Sequence, residues 1–111
     1  MSRPQKLEDA TIEAFLADHP GWARQQQGQG ADGDALVASF AFERYGDGLG
    51  FAVAVGTYAD KADHHPDLFI GWRKVRVLWS THDAGGISKL DVAAAIVTDA
   101  IAARTASPPA S

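Results

Sequence analysis

Three of the four histidines in this 111-residue chain lie between Asp60 and Asp91. His64 and His65 are adjacent and run into Pro66, and His82 follows an alternating stretch that reads as a strand. Histidine is the side chain best able to give and take protons near neutrality, so three in one segment suggest an acid–base site. Backbone before a proline is usually extended, which would send the imidazoles of His64 and His65 in opposite directions and give them different roles. His82 reaches them only if the chain from Pro66 turns and comes back. On residues alone three other readings stay open. The plain one is scattered polar loop histidines. A metal site could draw on His64, His82 and a carboxylate such as Asp60 or Asp63, but there is no H-E-x-x-H, no histidine pair at helical spacing and no EF-hand cluster. A hydrolase could use Ser80 or Ser88, yet neither sits in an elbow motif.

Composition narrows the class. A chain of this length forms one domain, with residues 1–6 and 105–111 expected as flexible tails and any cleft near a surface or a subunit boundary. A formal net charge of -4 argues against a general nucleic-acid binder, which needs an excess of Lys and Arg to neutralise phosphates. With no cysteine, disulfides, thiolate nucleophiles and Cys-based metal sites are excluded. The opening residues carry no apolar leader-like run, and no later run approaches a membrane span, so a soluble, cytoplasmic protein is expected.

The elements that must position the histidines follow from periodicity. Ile12, Phe15 and Leu16 share a helical face within Leu7 to Asp18, and His19, Pro20 and Gly21 stop that helix. Trp22 to Gln26 and Ala35 to Phe42 read as a hairpin, the second strand placing Leu36, Ala38, Phe40 and Phe42 on one side. The loop between them contains a G-x-G-x-x-G at Gly28, Gly30 and Gly33. It lacks the preceding apolar strand and following helix that a dinucleotide site requires, so it reads as a turn. Glu43 to Lys61 fits strand or helix equally, and its glycines lean away from helix. From Leu68 to Thr81, Val75, Val77, Trp79 and Thr81 point one way while Lys74, Arg76, Leu78 and Ser80 point the other. Gly71, Trp72 and Arg73 are the candidate bend, and the basic Arg73, Lys74 and Arg76 read as a solvated face or turn. Ser88 with Asp91 three residues on resembles a capping box and starts a last helix ending near Arg104, with Leu90, Ala94, Val97 and Ile101 as its stripe. The order is α-β-β-(α or β)-β-β-α, an α+β sandwich of helices on one antiparallel sheet.

The pattern of Asp60, then His64, His65 and Pro66, Trp72, His82 and Asp91, with every gap in register, resembles the pterin-4a-carbinolamine dehydratases. Animal members of that family are also called the dimerisation cofactor of a hepatocyte homeodomain factor. Phe42 to Tyr45 with Gly50 and Phe51, Trp22, and the run Ser80 to Asp83 with Gly85 and Gly86 extend the likeness to roughly residues 7–103. The resemblance implies a fold of α-β-β-α-β-β-α, one four-stranded antiparallel sheet with three helices on one face, and so makes Gly46 to Lys61 helical. It also implies dehydration of 4a-hydroxytetrahydropterin, 4a-hydroxytetrahydrobiopterin dehydratase activity, giving quinonoid dihydropterin and water with no metal or redox cofactor.

Carried over by position, His64 and His82 would be the acid–base pair and His65 would chiefly hold the substrate. Asp60 and Asp91 would orient or tune the histidines, since a carboxylate favours an imidazole's charged form. Pro66, Thr81 and Asp83 would shape the pterin pocket, and Trp22 would form an aromatic wall. Leu68 stands where animal members have tryptophan, which leaves one aromatic contact missing or supplied by Trp72. The resemblance also implies a homodimer or homotetramer and a functional link to an aromatic amino acid hydroxylase, with neither nucleic acid nor membrane as a direct partner. The alternative it leaves is a non-enzymatic interaction or assembly cofactor on the same scaffold, and retention of all three histidines favours catalysis.

Overall fold

The computed structural model describes residues 4–26 and 34–105. The glycine-rich loop and the outermost tail residues therefore lie outside the described residues. Helix α1 spans Asp9–Asp18, strands β1 and β2 span Ala23–Gln25 and Ala35–Ala41, helix α2 spans Tyr45–Ala62, strands β3 and β4 span Asp67–Gly71 and Lys74–Trp79, and α3 spans Lys89–Thr105. A single 3-10 turn, His82–Ala84, precedes α3. The four strands form one antiparallel sheet in the order β1-β2-β4-β3.

One face of the sheet carries the core. The register pairs Leu36 with Trp79, Ala38 with Val77 and Phe40 with Val75, and residues paired in this way share a face. These side chains pack with Ile12 and Phe15 of α1, Phe51, Val55 and Ala59 of α2, and Ala94 and Ala95 of α3. All three helices thus cover the same face. Strands β2 and β4 hold the centre because they are the most apolar, and β1, three residues long, closes one edge. On the opposite face Leu78 is also buried, contrary to an expectation of solvent there. Arg76 reaches across that face to the Gln25 side chain and lies over the Phe69 ring, 5.9 Å from its centroid. The stems of these residues shield apolar surface that alternation alone assigns to water.

The ambiguous segment is helical, as the family likeness implied. Its glycines divide into two kinds. A Cβ on Gly48 would lie 3.3 Å from Val75 and 3.4 Å from Phe42, so this glycine lets α2 approach the sheet. At Gly46, Gly50 and Gly56 a Cβ would meet nothing within 4 Å. Helix α2 survives its poor propensity because Phe51, Val55 and Ala59 are buried against the sheet, and tertiary packing outweighs about 1 kcal/mol per glycine.

The stripe of α3 differs from the expected one. Asp91, Ala94, Ala95 and Thr98 face inward, while Leu90 is 37% exposed. A hydrophobicity count passes over Asp91 and Thr98, yet each has a buried polar partner. The helix is rotated to satisfy them.

Candidate functional site

Two chain terminations bring the histidine segment together. At the end of α2, Asp63 adopts a left-handed conformation (φ 51°), its N–H donates to the Asp60 carbonyl at 3.4 Å, and the His64 N–H donates to the Ala59 carbonyl at 3.1 Å. This is a Schellman closure, and it fixes the backbone of His64 as the first residue past the helix stop. At the other end, β3 and β4 form a hairpin whose turn is Trp72 and Arg73, with Gly71 paired to Lys74 and Asp67 paired to Leu78. Continued beyond Asp67, that register leads His64 back towards Thr81, the residue before His82. The chain does turn and return.

At the start of α3 the expected capping box forms. The Leu90 N–H donates to Ser88 Oγ at 3.2 Å and the Ser88 N–H donates to Asp91 Oδ2 at 2.8 Å. Asp91 does more than cap. It is fully buried, its Oδ2 also accepts from the Thr81 hydroxyl at 2.7 Å, and its Oδ1 lies 2.6 Å from His64 Nε2. A carboxylate only accepts, so His64 donates through Nε2 and presents Nδ1 as its remaining nitrogen. Because Thr81 gives its proton to Asp91, the Ser88 hydroxyl donates to Thr81 Oγ1, at 2.6 Å. The hydrogen bonds around the Asp91 carboxylate run in one consistent direction, and a buried polar network whose bonds are satisfied in this way is rigid rather than costly.

His64 also stacks on the indole of Trp79, with centroids 5.4 Å apart and planes 23° from parallel. Its side chain keeps 12% exposure. His65 points elsewhere, as expected before proline: its Nε2 donates to Asp60 Oδ1 at 3.0 Å in a solvent-exposed pair. Pro66 is half-buried between that pair and β3. His82 and Asp83 are exposed on the 3-10 turn, and Gly85 closes that turn at φ 74°. His64, Thr81 and Asp91 are therefore in contact, with His82 covalently next to Thr81 and His65 with Asp60 as a separate pair. Trp22 stands apart from this group. It is buried beside Phe40 and donates its indole N–H to both carboxylate oxygens of Asp99, at 3.0 and 3.1 Å. Trp72 is 77% exposed at the hairpin tip under the Arg73 guanidinium. Among the described residues no three His, Asp or Glu side chains converge as ligands for a metal.

Sequence reading missed three roles: the left-handed turn at Asp63, which no glycine signalled; the stacking of Trp79, placed only on a strand face, against His64; and Thr98, whose hydroxyl accepts from Trp79 Nε1 at 2.9 Å. A buried indole N–H usually finds a partner, and that requirement was the available signal.

A four-stranded antiparallel sheet backed by three helices, with the buried Asp91 carboxylate holding His64 at the sheet's end, defines a small α+β protein. A family model described as pterin 4 alpha carbinolamine dehydratase matches residues 5–101, and the chain belongs to that family. Two curated relatives carry the name "Putative pterin-4-alpha-carbinolamine dehydratase". The protein from Natronomonas pharaonis is 51% identical over 87 residues, 78% of this chain and 85% of its own length. That from Thermomicrobium roseum is 41% identical over 90 residues, 81% and 89% respectively. Among solved structures, a transcriptional coactivator/pterin dehydratase from Brucella melitensis superposes with a TM-score of 0.75 at 31% identity, covering 88% of this chain and 99% of that one. A pterin dehydratase-like protein described as a RuBisCO assembly factor in the alpha-carboxysome shares the fold, with a TM-score of 0.58 at 23% identity over 74% of this chain and 89% of its own.

Proposed function

We propose that this protein is a 4a-hydroxytetrahydrobiopterin dehydratase. The observation that carries the reading is the buried pair of Asp91 with His64, which leaves His64 Nδ1 to handle a proton. In the reaction the bond from C4a to its hydroxyl breaks, the hydroxyl takes a proton and leaves as water, and the neighbouring ring nitrogen gives up its proton. The electron pair left on nitrogen forms the new C=N bond, so atoms and charge balance without a redox step. His64 and His82 form the acid–base pair, one taking the nitrogen proton and the other donating a proton to the departing hydroxyl. His65, held by Asp60, binds the substrate, and Pro66, Thr81 and Asp83 shape the pocket; Trp22, buried against Phe40 and Asp99, is not the aromatic wall the resemblance implied.

The reading extends to pterin recycling beside an aromatic amino acid hydroxylase in the cytoplasm, and to a homo-oligomer. Tyr45, Leu49 and Val53, one helical turn apart along α2, are exposed apolar residues that fit self-association. Among the described residues no helix is long and apolar enough to cross a membrane. The test is the breakdown of 4a-hydroxypterin with and without the protein, alongside His64→Ala and His82→Ala. Light scattering gives the assembly state, and an exclusively monomeric result would remove the oligomer from the reading.

A further inference from the structure

We infer that Trp79 and Thr98 are positioning residues for His64, together fixing the plane of its ring, and this inference rests on His64 acting as proposed above. A single hydrogen bond from Nε2 to Asp91 fixes one edge of an imidazole but leaves the ring free to rotate about that bond. The indole of Trp79 removes that freedom by lying against one face of the ring. With edge and face both held, Nδ1 has one direction to point.

The indole is itself held. Trp79 is fully buried, Tyr58 meets it edge-on at 6.1 Å, and its Nε1–H donates to Thr98 Oγ1 at 2.9 Å. Thr98 in turn donates its own hydroxyl proton to the Ala94 carbonyl at 2.7 Å, so its oxygen is free to accept and its rotamer is set. Thr98 lies seven residues beyond Asp91 on α3, close to two full turns, on the same face and about 10 Å further along the axis. One helix therefore supplies both constraints, Asp91 directly and Thr98 through the indole. This arrangement accounts for the polar inward face of α3. A valine at position 98 would fill the same space and pack as well, but would leave a buried indole N–H without a partner.

The experiment compares Thr98→Val and Thr98→Ser with the unaltered protein, reading the ring-proton chemical shifts of His64 by NMR and separately kcat and KM. An indole stacked on His64 displaces its ring signals by ring current. Thr98→Val is expected to move those signals towards their unstacked positions and to lower kcat roughly tenfold or more with little change in KM, as misorientation of a reacting group does. Thr98→Ser, which keeps the acceptor, is expected to restore both. A folded Thr98→Val protein with unchanged His64 signals overturns the inference, even if its stability has fallen. If Thr98→Val does not fold, Trp79→Phe keeps a ring and removes the N–H, and unaltered His64 signals and kcat there would likewise overturn it. The NMR result stands even if the unaltered protein proves inactive on 4a-hydroxypterin, so failure of the dehydratase reading and failure of this one are separable.

Discussion

At the scale of single residues, Asp91 is where the fold meets the proposed chemistry. Its carboxylate closes the capping box of α3 and accepts hydrogen bonds from the Thr81 hydroxyl and from His64 Nε2–H. Asp91→Asn separates these tasks. The amide oxygen can still accept from Ser88 and Thr81, but the amide N–H2 then faces His64, which must accept at Nε2 and carry its own proton on Nδ1. The atom offered to substrate changes from acceptor to donor. Turnover is expected to fall by roughly 10²–10⁴ with KM little changed, the range over which a positioned acid–base group contributes. Steady-state kinetics together with an unaltered circular dichroism spectrum would check it. Asp60→Ala is expected to raise KM through His65 while leaving thermal stability unchanged, because that pair is solvent-exposed and such pairs contribute little.

At the scale of elements, the glycines of α2 give opposite predictions for similar substitutions. Gly50→Ala and Gly56→Ala place a Cβ in open space and are expected to stabilise the protein by roughly 0.5–1 kcal/mol each, visible as a higher Tm. Gly48→Leu forces a side chain between Val75 and Phe42 and is expected to cost about 1–3 kcal/mol by overpacking. The sheet edge beside the site is tied by a second polar group. Asp34 is buried, pairs with Arg24 at 2.7 Å and Lys6 at 3.6 Å, and its backbone carbonyl accepts from Ser80. The Arg24 guanidinium hydrogen-bonded to it, aided by its charge and that of Lys6, holds the carboxyl below its usual range against the opposing effect of burial. A carboxyl depressed in the folded state contributes stability that is fully present above its unfolded pKa and is lost as pH falls through the folded value. Asp34→Asn is therefore expected to be less stable near neutrality, by about 1–3 kcal/mol, and to show a flatter loss of stability below about pH 4. Chemical denaturation across pH reads both.

At the scale of the whole molecule, what could be read from sequence divides along a physical line. Helix α1, the strands and the box at Ser88 were legible because each is set by local periodicity or local hydrogen bonding. Helix α2 was not legible from its own residues: its glycines oppose helix, and the packing of Phe51, Val55 and Ala59 that overrides them is non-local. Family resemblance supplied it. The face of α3 was misjudged for the related reason that buried polar residues are invisible to a hydrophobic count when their partners lie on other elements. In the site, the spacing from Asp60 to Asp91 pointed to the residues, whereas the contact of His64 with Asp91 depended on the Schellman turn at Asp63 and the hairpin that returns the chain to Thr81. Those two turns, with the capping box that sets Asp91 at the start of α3, are what bring the sequence pattern together in space. The most direct test of that site is a stopped assay of 4a-hydroxypterin breakdown by the unaltered protein, His64→Ala and His82→Ala. Acceleration over buffer that falls by roughly 10²-fold or more in each variant is expected; no acceleration, or variants that match the unaltered protein, would contradict it.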